Sequence, residues 1–321
     1  MAFDHDYKHV PALVQEVMQF LPFRRAQGIY VDATVGEGGH AEVLLRSTAT
    51  GHRLIGIDRD AEVLQVARRR LGPFGSRVIL MHGHAAELRS ILDTLDVSLV
   101  DGILLDLGVS SYQLELPDRG FSFAREGPLD MRMDRMTEQT AAMLINSLGE
   151  PDLVDLIQRY GEERWARRIA RAILRARRHA PLQTTQDLAT IITQVIPPGA
   201  RPPRIHPATR TFQALRIAVN QELSKLEESL RVAVGCLSPG ARLCVIAYHS
   251  LEDRIVKRTF RACAAIRELA PPQVRLLTRK PITCTLAERH LNPRARSAKL
   301  RVLEKVSDAS LEGENSAGSD R

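Results

Sequence analysis

The sequence predicts an α/β fold in which one largely parallel sheet is interrupted by an all-helical insertion. In the first third of the chain, short apolar runs alternate with helical stretches, a pattern typical of parallel strands joined by helices. From Pro117 to His206, helical patterns follow one another with no strand between them. The α/β pattern then returns, so the two ends of the chain are expected to share one sheet.

The first third is predicted to place its polar residues at one edge of the sheet. Its elements are the strands Ile29–Asp32, Leu54–Asp58, Val78–Met81 and Ile103–Leu107 and the helices Ala41–Arg46 and Ala61–Leu71. In such sheets, ligands bind beyond the carboxyl ends of the strands. Four features fall at those ends, namely Gly36–His40, Asp58, His82–Ala85 and Asp106. Their convergence predicts a ligand site.

These patterns define two domains and a tail. Residues 1–116 and 207–306 are predicted to form the sheet domain, and residues 117–206 a helical insertion within it. Within the insertion, helices are predicted at Ala141–Leu148, Pro151–Tyr160, Glu163–His179 and Thr185–Ile196. Beyond it, we predict one long helix at Thr209–Val234, a turn at Ser238–Gly240 and strands at Arg242–Tyr248 and Lys299–Val306. Residues 307–321 have the polar, acidic composition of a disordered tail.

Charge and composition limit the class of protein. The tail contributes −3 to the net charge of +7, so the rest of the chain carries +10. A basic body favours a polyanionic partner. No run of 18 apolar residues and no signal-peptide core occur, so a cytoplasmic protein without a membrane span is expected. The four cysteines have neither zinc-site nor disulfide spacing, and no metal is predicted.

The stretch "VDATVGEGGHA", Val31–Ala41, runs from a strand end into a glycine loop. Its letters satisfy the dinucleotide pattern G-x-G-x-x-G/A, and a glycine turn before a helix suits a phosphate or the polar end of a nucleoside. Asp58 ends the next strand, where a carboxylate accepts hydrogen bonds from ribose hydroxyls. The pair fits both a nicotinamide dinucleotide and S-adenosylmethionine, and a purely structural turn is the third interpretation.

Two further aspartates favour S-adenosylmethionine. Asp32 precedes the glycines, where an acid disfavours a pyrophosphate but suits a ligand with an ammonium and a sulfonium. Asp106 ends the fourth strand, where amino-methyltransferases carry an acidic or amide residue before a tight turn. An acceptor there draws the N–H of an exocyclic amine out of conjugation and makes the nitrogen a better nucleophile. A cap or turn former is the alternative role for Asp106.

One predicted helix of the insertion carries a stripe of arginines, here called the arginine stripe. Its members are Arg164, Arg167, Arg168, Arg171, Arg175 and Arg178. Their spacing of three and four places them within a sector of about 100° on a helix. Guanidinium groups suit phosphates, so the stripe is either an RNA contact or a solvated face. His40 and His249 are likewise either ligand contacts or structural residues.

Long motifs along the chain resemble one family, the bacterial 16S rRNA (cytosine-N4) methyltransferases, or MraW family. They are "YKHVPAL" (Tyr7–Leu13), "DATVGEGGH" (Asp32–His40), "IDRD" (Ile57–Asp60), "DGILLDLGVSSYQL" (Asp101–Leu114), "RGFSF" (Arg119–Phe123), "GPLDMRMD" (Gly127–Asp134), "YGEERWARRIARAI" (Tyr160–Ile173), "HPATRTFQALRIAVNQEL" (His206–Leu223), "HSLEDRIVK" (His249–Lys257) and "NPRARSAKLR" (Asn292–Arg301). They occur in order and span Tyr7 to Glu304.

The resemblance implies a class I S-adenosylmethionine-dependent methyltransferase with an inserted helical substrate domain. It implies methylation of N4 of a cytidine in the decoding region of 16S rRNA within the small ribosomal subunit, by a monomer or homodimer. The cofactor contacts it implies fall on Gly38, Gly39, His40, Asp58, Ala85, Asp106 and Gln113. The family usually carries an aromatic residue where Ala85 stands, so stacking on the adenine is lost here unless His82, His84 or another side chain replaces it.

The reaction implied is a direct transfer of the methyl group to N4, with Asp106 orienting the amine; the proton acceptor stays open. Methylation at C5 would need a cysteine near the fourth strand, and no cysteine precedes Cys236. Two other classes of protein are also compatible with the sequence. One is a nicotinamide-dependent dehydrogenase, and the other is a basic RNA-binding assembly factor with an inactive nucleoside site.

Overall fold

The computed structural model describes residues 10–21, 26–48, 50–201, 205–265 and 274–306. The tail predicted to be disordered, residues 307–321, lies outside the described residues. The chain divides into two compact units: residues 1–108 with 225–321 form the first, and residues 109–224 form the second. Among the described residues, no helix has the length and apolarity needed to cross a membrane.

The described elements are numbered here in chain order. The strands are β1 (Gly28–Asp32), β2 (His52–Asp58), β3 (Val78–His82), β4 (Val100–Asp106), β5 (Leu237–Ala247), β6 (Val274–Leu276), β7 (Ile282–Thr283) and β8 (Lys299–Lys305). The α-helices are α1 (Val14–Phe20), α2 (Gly39–Arg46), α3 (Ala61–Leu71), α4 (Leu88–Thr94), α5 (Ser111–Glu115), α6 (Ala141–Ser147), α7 (Glu150–Gly161), α8 (Ala166–Arg177), α9 (Thr185–Val195), α10 (Thr209–Asn220), α11 (Leu226–Gly235), α12 (Ser250–Ala264) and α13 (Leu286–Leu291).

The first unit holds one sheet with the strand order β3-β2-β1-β4-β5-β8-β6, and β7 pairs with β8. Strands β1 to β5 are parallel, whereas β8 runs antiparallel to its neighbours. The strand order reverses at β1, which lies between β2 and β4. Such a switch point opens a crevice at the carboxyl ends of the strands, and Asp32 and Asp106 end the two strands that flank it.

The predicted parallel sheet of the first third is confirmed. Strands β1 to β4 overlap the four predicted strands, and α3 has the predicted bounds, Ala61–Leu71. Neighbouring residues of a strand enter different cores, as Ile103 and Leu104 of β4 do. Because successive side chains point to opposite faces, a sheet covered on both faces needs a continuous apolar run. That is why these strands could be read from short unbroken apolar runs.

The second unit is helical, and its bounds, 109–224, are wider than the predicted insertion, 117–206. The difference arises because α10 packs on α7 in the core of this unit, with Phe212, Leu215 and Val219 buried there. The two helices approach closely at Gly161, where a Cβ would stand 2.6 Å from the carbonyl oxygen of Arg210. A larger residue at Gly161 would therefore push these two helices apart.

The prediction of one helix over Thr209–Val234 was wrong. Helix α10 ends at Asn220, Gln221 takes the left-handed conformation with φ of 50°, and α11 begins at Leu226. The Asn220 amide is buried and binds the backbone of the segment before α6: its Oδ1 accepts from Met133 N at 2.7 Å. Its Nδ2 donates to the Met131 carbonyl at 2.7 Å. This tertiary anchor ends the helix although the apolar periodicity continues.

The turn predicted at Ser238–Gly240 was also wrong, because β5 runs through it from Leu237. The strand accommodates these residues by a shift in its pairing with β4 between Val100 and Gly102. Gly240 has a φ of 79°, a conformation that a residue with a side chain adopts with difficulty. The extra residues therefore form an irregularity within the strand and do not end it.

Candidate active site

The candidate site lies in the first unit, at the carboxyl ends of its central strands. Asp32, Asp58 and Asp106 end β1, β2 and β4, and Tyr248 directly follows β5. All four side chains come from neighbouring parallel strands, so the strand order brings together residues that are up to 216 positions apart in sequence. The site is thus built on the rigid sheet, with one loop contributed after β1.

Asp58 holds the glycine loop in place. Its Oδ2 accepts from Gly36 N at 2.8 Å, and its Oδ1 accepts from Asp60 N at 2.9 Å. Burial raises the pKa of Asp58 to about 6, against the lowering effect of these two backbone donors. Each carboxylate oxygen accepts more than one hydrogen bond. The Asp58 carboxylate can therefore order the loop and still accept from a ligand hydroxyl.

The loop needs glycine at two positions for different reasons. Gly38 precedes α2 with a φ of 83°, in the left-handed region that favours glycine. At Gly39, a Cβ would lie 3.2 Å from Cγ of Pro11, so a neighbouring proline fills the space. The backbone N–H groups at the start of this eight-residue helix are left without helical partners, as at any helix start. The loop thus presents backbone donors at the edge of the sheet.

Asp32 is 1% exposed and sits beside two other carboxyl groups. Burial raises its pKa to about 8, and the charges of Asp106 and Asp58 act in the same direction. Thr34 links Asp32 to Asp106: Thr34 N donates to Asp32 Oδ1 at 3.3 Å, and Thr34 Oγ1 accepts from Asp106 N at 2.6 Å. The threonine was not singled out from the sequence, although it lies inside the glycine motif.

Asp106 is contacted on both carboxylate oxygens. The Tyr248 hydroxyl donates to Oδ1 at 2.8 Å, and Nδ1 of His40 lies 3.5 Å from Oδ2. Burial raises the pKa of Asp106 to about 7, the Tyr248 hydroxyl lowers it, and the charge of Glu252 raises it. A carboxyl with such a pKa both accepts and releases a proton near neutral pH. Asp106 is therefore chemically suited to a reaction at an amine.

The three carboxyl groups of the site fit a cationic ligand. Burial raises the pKa of Asp32, Asp58 and Asp106, and mutual repulsion adds to this at Asp32. An ammonium or sulfonium beside these groups would favour their charged forms and offset the cost of burying them. A pyrophosphate at the same place would add to the negative charge. The residues present thus suit S-adenosylmethionine better than a dinucleotide.

Replacing Asp32 with asparagine is expected to stabilise the ligand-free protein at neutral pH. Between about pH 4 and the folded-state pKa of about 8, the folded state holds a proton that the unfolded state has lost. The free energy of unfolding of the parent protein therefore falls as pH rises through this range. Thermal and urea unfolding should show a free energy of unfolding higher by about 2 kcal/mol or more in Asp32→Asn at about pH 7.5.

The same comparison at about pH 4.5 is the internal control, because Asp32 is then protonated and nearly isosteric with asparagine. The difference between variant and parent should shrink there. An Asp32→Asn protein that is equally destabilised at both pH values would show that the carboxylate is a structural anchor.

Two histidines lie beside Ala85, the position for which the family resemblance implied an aromatic residue. Ala85 begins a short 3-10 turn and is half-buried. His84 precedes it and accepts from Ala86 N through Nδ1 at 3.0 Å. Burial first, and then the charges of Arg59 and Lys225, lower the pKa of His84 to about 4. His84 is therefore a neutral ring beside Ala85, while the His82 ring is exposed and contacts the Arg59 carbonyl.

Gln113 lies in the second unit, in the first turn of α5, and is buried. Its Oε1 accepts from Ser110 N at 3.0 Å, and its own N–H donates to Ser110 Oγ at 3.2 Å. These reciprocal bonds form a capping box. The local role of Gln113 is thus to start α5.

The arginine stripe lies on the second unit, and all six of its side chains are exposed. Ile169 and Ile173 of the same helix α8 are fully buried, which confirms the predicted two-faced helix. Arg171 pairs with Glu150 at 2.8 Å, and Arg164 and Arg168 lie over the Trp165 ring at 5.4 and 4.9 Å. Five of the six guanidinium groups thus face solvent without an ion pair in the described residues.

The motif "YHSLED" contributes a residue that the sequence argument missed. His249, interpreted there as either a ligand contact or a structural residue, caps α12, and its Nδ1 accepts from Glu252 N at 3.4 Å. The capping box predicted at Ser250–Asp253 is therefore shifted by one residue. Tyr248 is the residue of this motif that reaches Asp106. Its position at the end of the predicted strand Arg242–Tyr248 was the available signal, whereas the pairing of this strand with β4 could not be predicted from the sequence.

The fold and the site define a class of enzyme. A parallel sheet with one antiparallel strand next to its end, a glycine loop after β1 and acidic residues ending β1, β2 and β4 are the features of a class I S-adenosylmethionine-dependent methyltransferase. Its cofactor is S-adenosylmethionine.

The chain belongs to the MraW methylase family, whose model matches residues 6–306. It is 50% identical over 311 residues to ribosomal RNA small subunit methyltransferase H of Geobacter sp. (strain M21), covering 94% of this chain and 99% of that protein. The protein of the same name from Geobacter sulfurreducens is 50% identical over 310 residues, with the same coverage. Family membership excludes the dehydrogenase interpretation that the glycine pattern had left open.

Proposed function

We propose that this protein methylates the exocyclic N4 of a cytidine in the decoding region of 16S rRNA in the cytoplasm. The observation that carries the proposal is Asp106 at the end of β4, a buried carboxyl with a pKa raised to about 7 beside the crevice. Supporting it, the relatives in two Geobacter species carry the name of a small-subunit rRNA methyltransferase. An acceptor of this kind suits an amine that has to lose a proton.

The proposed cofactor site uses the loop and strand ends of the first unit. The N–H groups of Gly38 and Gly39 and the neighbouring His40 would surround the methionine part, and Asp58 would accept from the ribose hydroxyls. Ala85 would border the adenine, with the neutral His84 ring as the nearest replacement for the missing aromatic. Asp106 would lie at the reacting end. Gln113 lies in the second unit, and its contact with the cofactor stays a prediction of the family resemblance.

S-adenosylmethionine supplies an electrophilic methyl group on a cationic sulfur. Asp106 accepts a hydrogen bond from the target amine and draws its lone pair out of conjugation with the ring. Because Tyr248 already occupies Oδ1, the amine is expected to approach Oδ2. The cytidine has to leave its stack to reach this position, at a cost of a few kcal/mol. The arginine stripe would hold the flanking RNA backbone and offset that cost.

Replacing Arg167, Arg171 and Arg175 with alanine is expected to weaken rRNA binding and to flatten its salt dependence. These three exposed guanidinium groups lie on successive turns of α8. If each neutralises one phosphate, the slope of log K against log salt falls by about two. Filter binding to a 16S fragment at several salt concentrations measures this slope.

A matched variant removes the same charge elsewhere. Arg53, Arg68 and Arg69 are exposed on the first unit, and replacing them with alanine should leave the salt slope close to that of the parent. Equal slopes for both triple variants would make the arginine stripe a solvated face.

Incubation of the protein with labelled S-adenosylmethionine and small subunits from a strain that lacks the gene tests the proposed reaction. Nuclease digestion followed by mass spectrometry should show N4-methylcytidine. Label on C5 or on another nucleoside would contradict the proposed chemistry. Tight RNA binding without any methylation would favour an assembly factor with an inactive site.

A further inference from the structure

We propose that Tyr248 and His40 are positioning residues that make Asp106 the acceptor of the proton released by the target amine. The inference rests on the proposed function, because it concerns the nitrogen that receives the methyl group. It is built from three side chains of the first unit: His40 in α2, Asp106 at the end of β4 and Tyr248 directly after β5.

Tyr248 is held at both ends. Its backbone N–H donates to Oε2 of the buried Glu252 at 2.8 Å, and its hydroxyl donates to Asp106 Oδ1 at 2.8 Å. Glu252 itself is fixed at the start of α12, where it forms the capping box with His249. The backbone of Tyr248 is therefore anchored to α12, while its hydroxyl is hydrogen-bonded to Asp106. This hydroxyl occupies Oδ1 and orients the Asp106 carboxyl.

His40 faces the other oxygen with an acceptor. The ring is 5% exposed, and its Nε2 lies 2.9 Å from the Ala12 carbonyl oxygen. Because a carbonyl only accepts, Nε2 carries the hydrogen and Nδ1 of the neutral ring has a lone pair. That lone pair lies 3.5 Å from Asp106 Oδ2. The lone pairs of Oδ2 and Nδ1 repel each other unless a proton lies between them. The Asp106 carboxyl and the His40 ring are therefore arranged to share a proton.

The surroundings of Asp106 favour a proton on its carboxyl group over a proton on the His40 ring. Burial raises the pKa of Asp106 to about 7 and lowers that of His40 to about 4, so Asp106 gains a proton before the ring does. The groups that face Asp106 are His40 from α2, Asp32 from β1, Tyr248 after β5 and Glu252 from α12. The charge of Glu252 raises the pKa of Asp106 and the tyrosine hydroxyl lowers it, while the charge of Asp106 raises the pKa of Asp32.

The chemical step balances with these groups alone. The N4 lone pair forms the new C–N bond while the methyl–sulfur bond breaks and leaves its electron pair on sulfur. The nitrogen is then cationic and carries two hydrogens. One leaves as a proton to Asp106 Oδ2, and its bonding pair returns to nitrogen. The proton is held between Oδ2 and His40 Nδ1 until it passes to solvent after product release.

The first test uses the protein without cofactor or RNA. Carbon-13 NMR of protein labelled at the aspartate carboxyl carbons follows the titration of Asp106, assigned by its loss in Asp106→Asn. In Tyr248→Phe, which removes only the hydroxyl, the pKa of Asp106 should rise by about one unit because a donor to the charged form is lost. Tyr30→Phe, a buried tyrosine of the same sheet, is the matched control and should leave the titration unchanged.

The second test is the pH dependence of methylation of small subunits. Since Asp106 has to be ionised to accept the proton, kcat rises with pH through its pKa. Tyr248→Phe should lower kcat about tenfold near pH 6.5, recover to about the parental kcat near pH 9, and leave KM for S-adenosylmethionine unchanged. A purely structural role of Tyr248 would lower kcat by the same factor at every pH.

Two substitutions separate the contacts of His40. His40→Gln can still donate to the Ala12 carbonyl but lacks the acceptor near Asp106, whereas His40→Asn keeps a polar acceptor near the position of Nδ1. The inference predicts a kcat several-fold lower for His40→Gln than for His40→Asn, at similar stability. Equal kcat in the two variants would remove His40 from the proton path.

The outcomes distinguish this inference from the function on which it rests. If the parent protein never methylates cytidine N4, the proposed function fails, while the NMR titration still reports the coupling of Tyr248 to Asp106. If the parent methylates N4 but Tyr248→Phe shifts neither the titration nor the pH profile, the positioning role fails and the function stands.

Discussion

Asp106→Asn is expected to lower kcat by about two to three orders of magnitude, the usual contribution of a residue that accepts a proton in the reaction. The variant should fold normally, since asparagine can replace both contacts of the carboxyl. Its Oδ1 can accept from the Tyr248 hydroxyl, and its Nδ2 can donate to the lone pair on His40 Nδ1. It also removes a buried acidic group, so its Tm should match or exceed that of the parent. Single-turnover assays on small subunits measure the rate.

The control for Asp106→Asn is binding. The arginine stripe lies in the other unit, so affinity for the rRNA fragment should stay within about twofold of the parent, a change smaller than one lost hydrogen bond would cause. A variant with parental kcat would remove Asp106 from the mechanism. A variant that loses kcat and RNA affinity together would show that Asp106 acts through the fold.

Asp58→Asn is expected to weaken S-adenosylmethionine binding by about one to two orders of magnitude. An amide has one acceptor oxygen, so its NH2 group has to face either Gly36 N or Asp60 N, each of which is a donor. The glycine loop then loses an anchor at the same time as the ribose loses a charged acceptor. Calorimetry with S-adenosylmethionine and with S-adenosylhomocysteine should show a similar loss for both, because the two share the ribose.

Asp60→Ala is the control that distinguishes an effect on the glycine loop from a general loss of stability. Asp60 caps α3 by accepting from Glu62 N and Val63 N, and loss of such a cap costs about 1 kcal/mol. Its side chain is proposed to have no part in cofactor binding, so the Kd should stay close to that of the parent. Parental affinity in Asp58→Asn would contradict the proposed ribose contact.

Local pattern was enough to predict the first half of the sheet. Strands β1 to β4 each consist of one short apolar run followed by a helical stretch, because both faces of the sheet are covered. Since parallel strands end at one edge, the same pattern placed Asp32, Asp58 and Asp106 at one site.

Features that depend on distant contacts could not be predicted in this way. The break between α10 and α11 contains neither glycine nor proline, and it is fixed by contacts of Asn220 with residues nearly 90 positions earlier. The domain boundary moved for the same reason, because α10 packs in the helical core. Local periodicity carries no information on such pairings.

The second half of the site shows the same limit. Tyr248 and Asp106 are 142 positions apart, and only the placement of β5 next to β4 brings them together. Seen locally, the motif pointed to His249, whose ring caps α12. The contact of Tyr248 with Asp106 can therefore be predicted only when the strand order is known.

Mapping 16S rRNA by mass spectrometry in a strain without the gene tests the central claim most directly. Complementation with the parent gene should restore one N4-methylcytidine in the decoding region, and complementation with Asp106→Asn should not. If the decoding region is modified equally with and without the gene, or if the mark that returns lies on another atom or nucleoside, the assignment of this site to cytidine N4 is contradicted.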